Sequence, residues 1–155
     1  MRQQSPYLEM EQEMSKRFNG SCACGAVTYG FDNEPTFVAN CHCTDCKRAS
    51  GGEMATFALV SDSDFTVFGG ETKGFPYPAN PQTCAGNGLT RVFCVNCGSR
   101  VFTNELADFP GGVFVQEGTL DNLTDWFAPQ AEIYTWSRQP WMPALDVPQH
   151  DHGVS

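Results

Sequence analysis

Seven of the eight cysteines in this 155-residue chain lie in three short clusters, within residues 22–24, 41–46 and 94–97. Zinc binds thiolate sulfur at about 2.3 Å in tetrahedral geometry, and cysteines one or two residues apart can supply two ligands from one turn. The spacing therefore predicts a fold in which turns from distant parts of the chain converge on metal ions.

The first and third clusters are cysteine pairs followed directly by glycine, here Gly25 and Gly98. Glycine suits the positive φ that a metal-binding turn needs after its last ligand. Together the two pairs supply one four-sulfur site, from Cys22, Cys24, Cys94 and Cys97. We interpret this site as structural, because a bound zinc ion can supply much of the folding free energy of a small β domain.

The middle cluster offers three sulfurs, those of Cys41, Cys43 and Cys46. Three protein ligands and a fourth position open to substrate are typical of catalytic zinc. His42 is an alternative fourth ligand, although a residue between two ligating cysteines tends to point away from the metal. Cys84 is another alternative, but we interpret it as a free cysteine. An open three-sulfur site favours an incoming thiol, which binds as thiolate and attacks an electrophilic carbon.

The net charge of −9 disfavours binding to phosphate backbones, so we expect no nucleic-acid partner. Four of the nine basic residues nevertheless lie beside the cysteine clusters: Lys47, Arg48, Arg91 and Arg100. They either offset thiolate charge or receive an anionic substrate. Residues 1–18 lack the apolar core of a secretory signal, and no apolar run approaches the ~18 residues that span a bilayer. We therefore expect a cytoplasmic protein without a membrane partner, whose cysteines bind metal rather than form disulfides.

Short β-branched and aromatic runs separated by turn residues predict a mainly β fold. The predicted strands are 27–31, 36–40, 54–60, 65–68, 91–93, 101–103, 113–117 and 133–136, with one helical turn within 43–50. The proline-rich segment 75–81 is predicted to be a loop, since it cannot be a central strand. One zinc-binding domain is expected over residues 18–147, between flexible tails at 1–17 and 148–155.

Five segments follow one another in order: GSCACGAVTY from Gly20, CHCTDCKRASG from Cys41, RVFCVNCG from Arg91, GTLD from Gly118 and SRQPW from Ser137. Together they resemble the glutathione-dependent formaldehyde-activating family, which includes the centromere protein V-like proteins. The resemblance implies a β-tent fold with two zinc ions. The first and third clusters would hold the structural zinc, and Cys41, Cys43 and Cys46 the catalytic zinc. It also implies addition of glutathione to formaldehyde, giving S-hydroxymethylglutathione, and the reaction class transfers better than the substrate.

We therefore hypothesise a zinc-dependent carbon–sulfur lyase or synthase that joins a small thiol such as glutathione to an electrophilic carbon, or separates them. Lys47 and Arg48 would steer the carboxylates of glutathione. Arg138 would take a carboxylate beside Trp136 and Trp141, although we favour core packing for the tryptophans. The alternative is a non-catalytic zinc scaffold of the same fold that binds a protein partner and has a closed second site. A homodimer is compatible with both hypotheses.

Overall fold

The computed structural model describes residues 16–122, 124 and 126–154. In this part of the chain it contains one α-helix, α1 (Thr44–Ser50), and ten strands: β1 (Phe18–Ser21), β2 (Thr28–Phe31), β3 (Phe37–Cys41), β4 (Ala55–Ser61), β5 (Thr66–Gly69), β6 (Thr72–Tyr77), β7 (Leu89–Cys94), β8 (Arg100–Asn104), β9 (Gly112–Gln116) and β10 (Ala131–Ile133). The prediction of a mainly β single domain is confirmed. The predicted N-terminal tail falls almost entirely on residues 1–15, which lie outside the described residues.

The strands form a three-stranded sheet in the order β1-β2-β5 and a seven-stranded sheet in the order β10-β3-β4-β9-β8-β7-β6. Strand β10 runs parallel to β3, and the other paired strands run antiparallel. Successive side chains of a strand point to opposite faces of its sheet. The seven-stranded sheet therefore buries apolar side chains on both faces.

Strand β9 shows how this sheet divides the interior. Val113 and Val115 join a core that also contains Phe18, Tyr29 and other side chains of the smaller sheet. Phe114, between them, joins a second core together with Phe57. The rings of Phe57 and Phe114 pack with their centroids 4.3 Å apart. Cysteines of the first and third clusters belong to the first core, and those of the middle cluster to the second. The sheet thus separates the two sets of sulfurs.

The proline-rich segment begins in a strand rather than in a loop. Strand β6 extends to Tyr77 and pairs with β7, with Pro76 opposite Thr90. It is an edge strand, as proline requires because it has no N–H to donate to a neighbouring strand. The prediction that this segment is not a central strand is confirmed, and the loop starts only at residue 78.

Residues 148–152, part of the expected flexible tail, form backbone hydrogen bonds with residues in and beside β10. The N–H of Glu132 donates to Pro148 O at 3.0 Å, and the N–H of His150 donates to Glu132 O at 2.9 Å. The N–H of Tyr134 donates to His152 O at 3.0 Å. These backbone bonds attach the segment beside β10, an association that a polar sequence without apolar alternation does not signal. No helix in the described part of the chain is long and apolar enough to cross a membrane.

Candidate metal centres and an adjoining cavity

Two turns bring four sulfurs together in what we call the hairpin cluster, formed by Cys22, Cys24, Cys94 and Cys97. Each turn lies between antiparallel strands and closes with a glycine at positive φ, 78° at both Gly25 and Gly98. The N–H of Gly25 donates to Cys22 O at 3.0 Å, and that of Gly98 donates to Cys94 O at 2.8 Å. Glycine adopts this conformation without steric cost, so the two turns can present their sulfurs to one point.

The hairpin cluster is half open to solvent. Cys22 and Cys94 are buried, whereas Cys24 and Cys97 are exposed. The Ser99 hydroxyl, 3.3 Å from Cys97 Sγ, and the Ser99 backbone lower the pKa of Cys97 to about 5. The same hydroxyl accepts a hydrogen bond from Ala23 N at 3.0 Å, which links the two turns. This cluster therefore connects the hairpin of the smaller sheet to a hairpin of the larger one.

A second set of four sulfurs, which we call the helix cluster, surrounds the start of α1 and consists of Cys41, Cys43, Cys46 and Cys84. Cys41 ends β3, Cys43 is the N-cap of α1, and Cys46 lies in its first turn. The sulfur of Cys43 accepts from Cys46 N at 3.3 Å, which provides the capping interaction that a serine or aspartate oxygen often supplies. Cys41, Cys43 and Cys46 are all buried.

Cys84 completes this cluster, contrary to our interpretation of it as a free cysteine. Its sulfur lies 3.3 Å from Cys46 Sγ and 3.6 Å from Cys43 Sγ. The Thr83 hydroxyl donates to Asp45 Oδ2 at 2.6 Å, which ties the Cys84 loop to the helix. Asp45 therefore anchors the loop to the helix. Long-range contacts of this kind leave no local pattern in the sequence, so Cys84 carried no spacing signal.

Both clusters have dimensions that suit a tetrahedral metal ion. Four sulfurs at about 2.3 Å from a common centre lie about 3.8 Å from one another. In the hairpin cluster, Cys24 Sγ lies 3.5 Å from Cys22 Sγ and 3.8 Å from Cys94 Sγ. All ligand atoms in each cluster lie within 4.8 Å of one another. These separations are far longer than the ~2.05 Å of a disulfide. Each cluster could therefore hold one metal ion, and four thiolates are consistent with zinc.

Arg91 supplies positive charge to the helix cluster. Its Nη2 donates to Cys84 Sγ at 3.5 Å and to Cys46 Sγ at 3.9 Å, and its guanidinium lies over the ring of Tyr77. Hydrogen bonds from Cys41, Cys43 and Cys84 lower the pKa of Cys46 well below its ordinary value, and the charge of Arg91 lowers it further. Burial alone would lower the pKa of Arg91, but the nearby Cys46 and Cys84 sulfurs raise it. The Arg91 guanidinium and the Cys46 thiolate therefore stabilise each other as an ion pair.

His42 faces away from the sulfurs, as expected for a residue between two ligating cysteines. It is fully buried, and its Nε2 lies 2.9 Å from Glu132 Oε1. Glu132 also accepts hydrogen bonds from Arg138 Nη2 at 2.9 Å and from Leu145 N at 3.0 Å. Burial opposes ionisation of Glu132, but hydrogen bonds led by that of His42 hold its pKa at about 2. This buried network fixes the backbone between Cys41 and Cys43.

Two of the three cations proposed for substrate binding are engaged inside the protein. Lys47 Nζ donates to Ser137 O, and Arg138 donates to Glu132 and Gln149. Arg48 is exposed. Arg100, by contrast, has its Nε and Nη1 buried, and neither forms a hydrogen bond with the described residues. It lines two neighbouring surface depressions, and Arg91 lines one of them.

An apolar cavity of about 470 Å³ adjoins the helix cluster. Cys84, the half-buried member of the cluster, forms part of its wall. Its other lining residues include five aromatic side chains, those of Phe37, Phe57, Phe109, Phe114 and Tyr134. The expected pocket around Trp136 and Trp141 is not the one that adjoins the sulfurs. Neither tryptophan packs in the core, since they are 50% and 68% exposed.

Comparisons with known proteins place these observations in a family. A family model described as "Glutathione-dependent formaldehyde-activating enzyme" matches residues 17–137, which include every cysteine of both clusters. A crystal structure of a Rhodobacter sphaeroides protein is similar with a TM-score of 0.54 at 22% sequence identity, and the match covers 72% of this chain and 96% of that chain. That similarity concerns the fold alone. No curated protein matches the chain significantly.

Proposed function

The chain belongs to the glutathione-dependent formaldehyde-activating enzyme family, and we propose that it makes or breaks a bond between a thiol and an electrophilic carbon at the helix cluster. In the direction of synthesis, the thiol sulfur bonds to the carbon of an aldehyde and a hemithioacetal forms. In the reverse direction the enzyme is a carbon–sulfur lyase. Cysteines held as reduced metal ligands suit a reducing compartment such as the cytoplasm.

The observation that carries this proposal is the position of Cys84. It comes from a loop, it is more accessible than the three other sulfurs of the helix cluster, and it lies in the wall of a cavity. Cys41, Cys43 and Cys46 are buried and are fixed by β3 and α1. Cys84 is therefore the sulfur that can yield its place to an external thiol without disturbing the other three.

The four helix-cluster cysteines would hold zinc, and the hairpin cluster would hold a second, structural zinc. A zinc ion at the helix cluster would keep a thiol in its thiolate form at neutral pH. The chain's own contribution is to hold three sulfurs in place through the Cys43 cap and the His42–Glu132 hydrogen bond. Arg91 offsets the negative charge that four thiolates around a divalent cation leave.

A thiol with carboxylates, such as glutathione, fits the charges next to the cluster. Arg100 has two buried N–H groups without a partner in the described residues, and a buried cation without a counter-ion is costly. Arg91, which lines the same depression, also donates to the sulfurs of Cys46 and Cys84. Arg100 and the exposed Arg48 are the cations that remain free to receive a carboxylate.

The test combines metal content with turnover. We expect two zinc ions per chain, one of which becomes exchangeable when glutathione is added. We also expect faster exchange between free aldehyde and hemithioacetal, measured by NMR saturation transfer. Cys43→Ala should lose both the exchangeable zinc and the acceleration, whereas Cys84→Ala should retain measurable acceleration. Unchanged metal content and turnover in Cys43→Ala would contradict the proposal.

A second candidate is a non-catalytic scaffold, and one observation favours it. The helix cluster contains four sulfurs rather than three, and a closed four-thiolate site is typical of structural zinc. This function predicts two zinc ions that do not respond to glutathione, and it predicts no acceleration of exchange. The same measurement therefore separates the two candidates.

A further inference from the structure

The cavity at Cys84 is lined mainly by apolar side chains. Aromatic rings supply much of its surface, and Leu59, Ile133 and Val154 add aliphatic side chains. The rings of Phe109 and Phe114 lie 5.6 Å apart at 62°, and Phe114 in turn packs against Phe57. Such a surface binds apolar groups because water leaves both the wall and the ligand when they meet.

The charge around the cavity disfavours anions. Asp108 is the one charged side chain among the residues that line it. Its carboxylate is held by Asn87, which donates from its backbone N at 3.1 Å and from Nδ2 at 2.6 Å. The Cys84 sulfur adds negative charge when it is a thiolate. A carboxylate-bearing molecule would therefore be repelled here, and an uncharged one would not.

The size of the cavity also disfavours a one-carbon ligand. Its volume of about 470 Å³ lies within the range of roughly 300–1,000 Å³ that is common for small-molecule sites. Formaldehyde, with two non-hydrogen atoms, would contact only a small part of this wall. The remaining apolar surface would then stay in contact with water, which gives no affinity.

Tyr134 offers a hydrogen-bond donor within the same cavity. It adopts a left-handed conformation with φ of 53°, unusual for a residue other than glycine, which directs it from the end of β10 into the cavity wall. Within the described part of the chain, the Tyr134 hydroxyl has no hydrogen-bond partner. The hydroxyl lies beside Gly153, another residue of the cavity wall, since a Cβ atom added at Gly153 would be 3.1 Å from it. Burial raises the pKa of Tyr134, so the hydroxyl keeps its proton.

We propose that this cavity receives the carbon skeleton of an uncharged apolar aldehyde, aromatic or branched aliphatic, with its carbonyl group directed to Cys84 and Tyr134. The inference rests on the proposed function, because the aldehyde is the electrophile of that reaction. The sulfur of the external thiolate forms a bond to the carbonyl carbon, and the electron pair of the C=O π bond moves to the oxygen. Tyr134 donates a hydrogen bond to that oxygen. The oxygen gains the proton that the thiol released, so the product is a hemithioacetal and nothing is oxidised or reduced.

Binding can be tested without turnover by using alcohols that cannot react. We expect benzyl alcohol to bind the zinc-loaded protein at least tenfold more tightly than benzoate or methanol, measured by NMR titration. Leu59→Trp should fill the cavity and abolish this binding, whereas Val67→Trp, at an exposed position of β5, should leave it unchanged. Val154→Trp is a second blocking variant near the end of the described chain, where a substitution cannot unfold the sheets.

Equal affinity for benzoate, or benzyl alcohol binding that persists in both blocking variants, would overturn the proposal. The cavity proposal and the proposed function can fail separately. Benzyl alcohol binding without accelerated exchange would refute the reaction but keep the cavity assignment. Accelerated exchange of formaldehyde together with no binding of benzyl alcohol would keep the proposed reaction but overturn the cavity assignment. In exchange measurements with benzaldehyde, Tyr134→Phe should lower kcat about tenfold or more with KM little changed, since it removes a hydrogen bond that strengthens as charge develops on oxygen.

Discussion

The two four-sulfur clusters have the same ligands but differ in how the chain presents them. In the hairpin cluster, both pairs come from tight turns between strands, and each pair has one buried and one exposed sulfur. In the helix cluster, three buried sulfurs come from one strand–helix junction and the fourth comes from a loop. Exposure alone would make the hairpin cluster the more reactive one.

The surroundings reverse that expectation. Cys24 and Cys97 are exposed at turns, and removing either would open a hairpin that the cluster holds. Cys84 is less exposed, but it lies in the wall of a cavity and beside Arg91. A reactive sulfur needs a neighbouring site for the substrate and a charge that favours thiolate, not only access to solvent. Under the proposed function, the two centres share one ligand set, and the loop that carries Cys84 is what makes one of them reactive.

The largest expected effect separates the clusters by stability. Cys94→Ser should unfold the protein at 25 °C or leave it molten, because structural zinc sites contribute on the order of 10 kcal/mol and a domain is stable by only about 5–15 kcal/mol. Cys84→Ser should remain folded, since three buried cysteines still hold the helix cluster. Urea unfolding followed by circular dichroism, with zinc content measured in parallel, checks both. If the two variants lost equal stability, the contrast between the clusters would fail.

A second variant addresses the support of the helix cluster. Glu132→Gln should reduce the free energy of unfolding by about 3–5 kcal/mol, because it leaves the buried end of Arg138 without its counter-ion. It should also weaken zinc binding at the helix cluster only, since His42 loses its charged partner. The matched control is Glu34→Gln, which removes an exposed pair with Arg17 and should cost at most about 1 kcal/mol.

The wild type and Glu132→Gln should also differ in how their stability depends on pH, in a direction that can be stated. Glu132 has a pKa of about 2 in the folded protein and an ordinary value of 4.5, so its ionised form stabilises the fold. This contribution is complete above pH 4.5 and declines as the pH falls toward 2. The stability difference between the wild type and Glu132→Gln should therefore shrink over that interval. A difference that stayed constant would show that the carboxylate charge is not what stabilises the network.

Much of the fold could be predicted because strands and metal-binding turns leave local patterns. The cysteine–glycine spacing predicted both turns of the hairpin cluster, and seven predicted strands overlap the observed ones along most of their length. Strand β1 was missed because four residues with a central Gly20 carry little alternation. The last predicted strand, 133–136, instead ends at Ile133, where Tyr134 turns into the left-handed region. That turn depends on contacts with residues 150–152, which the local sequence does not encode.

The site was less predictable, since its parts are distant in sequence. Three sulfurs of the helix cluster lie within six residues, but Cys84 reaches it only because Thr83 bonds to Asp45. Arg91 is likewise buried against two sulfurs. The alternation of side chains along β7 predicts this contact only when the order of the strands in the larger sheet is known. Arg138 carried the right charge for a substrate, yet Glu132 of the same chain binds it first. Charge near a motif indicates a role only when internal partners are known.

A smaller effect would sharpen the assignment of the thiol. Arg100→Gln should raise KM for glutathione about tenfold, because a hydrogen bond to a charged group contributes about 1.5–3 kcal/mol. KM for 2-mercaptoethanol, which has no carboxylate, should not change. Lys73→Gln, which changes an exposed cation of β6 that lines neither depression, is the matched control. An equal rise for both thiols would mean that Arg100 supports the sheet rather than binds the carboxylate.

The smallest effect concerns the loop that distinguishes the clusters. Thr83→Val keeps the shape of the side chain but removes the hydrogen bond to Asp45, so it should cost about 1 kcal/mol of stability. Because that bond holds the Cys84 loop against α1, Cys84 should react faster with a thiol reagent, while the reactivity of Cys24 should stay the same. Thr90→Val is the control, since the Thr90 hydroxyl bonds to exposed Glu105 at 2.5 Å and not to a residue of α1 or of either cluster. Unchanged reactivity of Cys84 would mean that the loop is held by the sulfurs themselves. The helix cluster would then be as closed as the hairpin cluster, and the scaffold would become the better candidate.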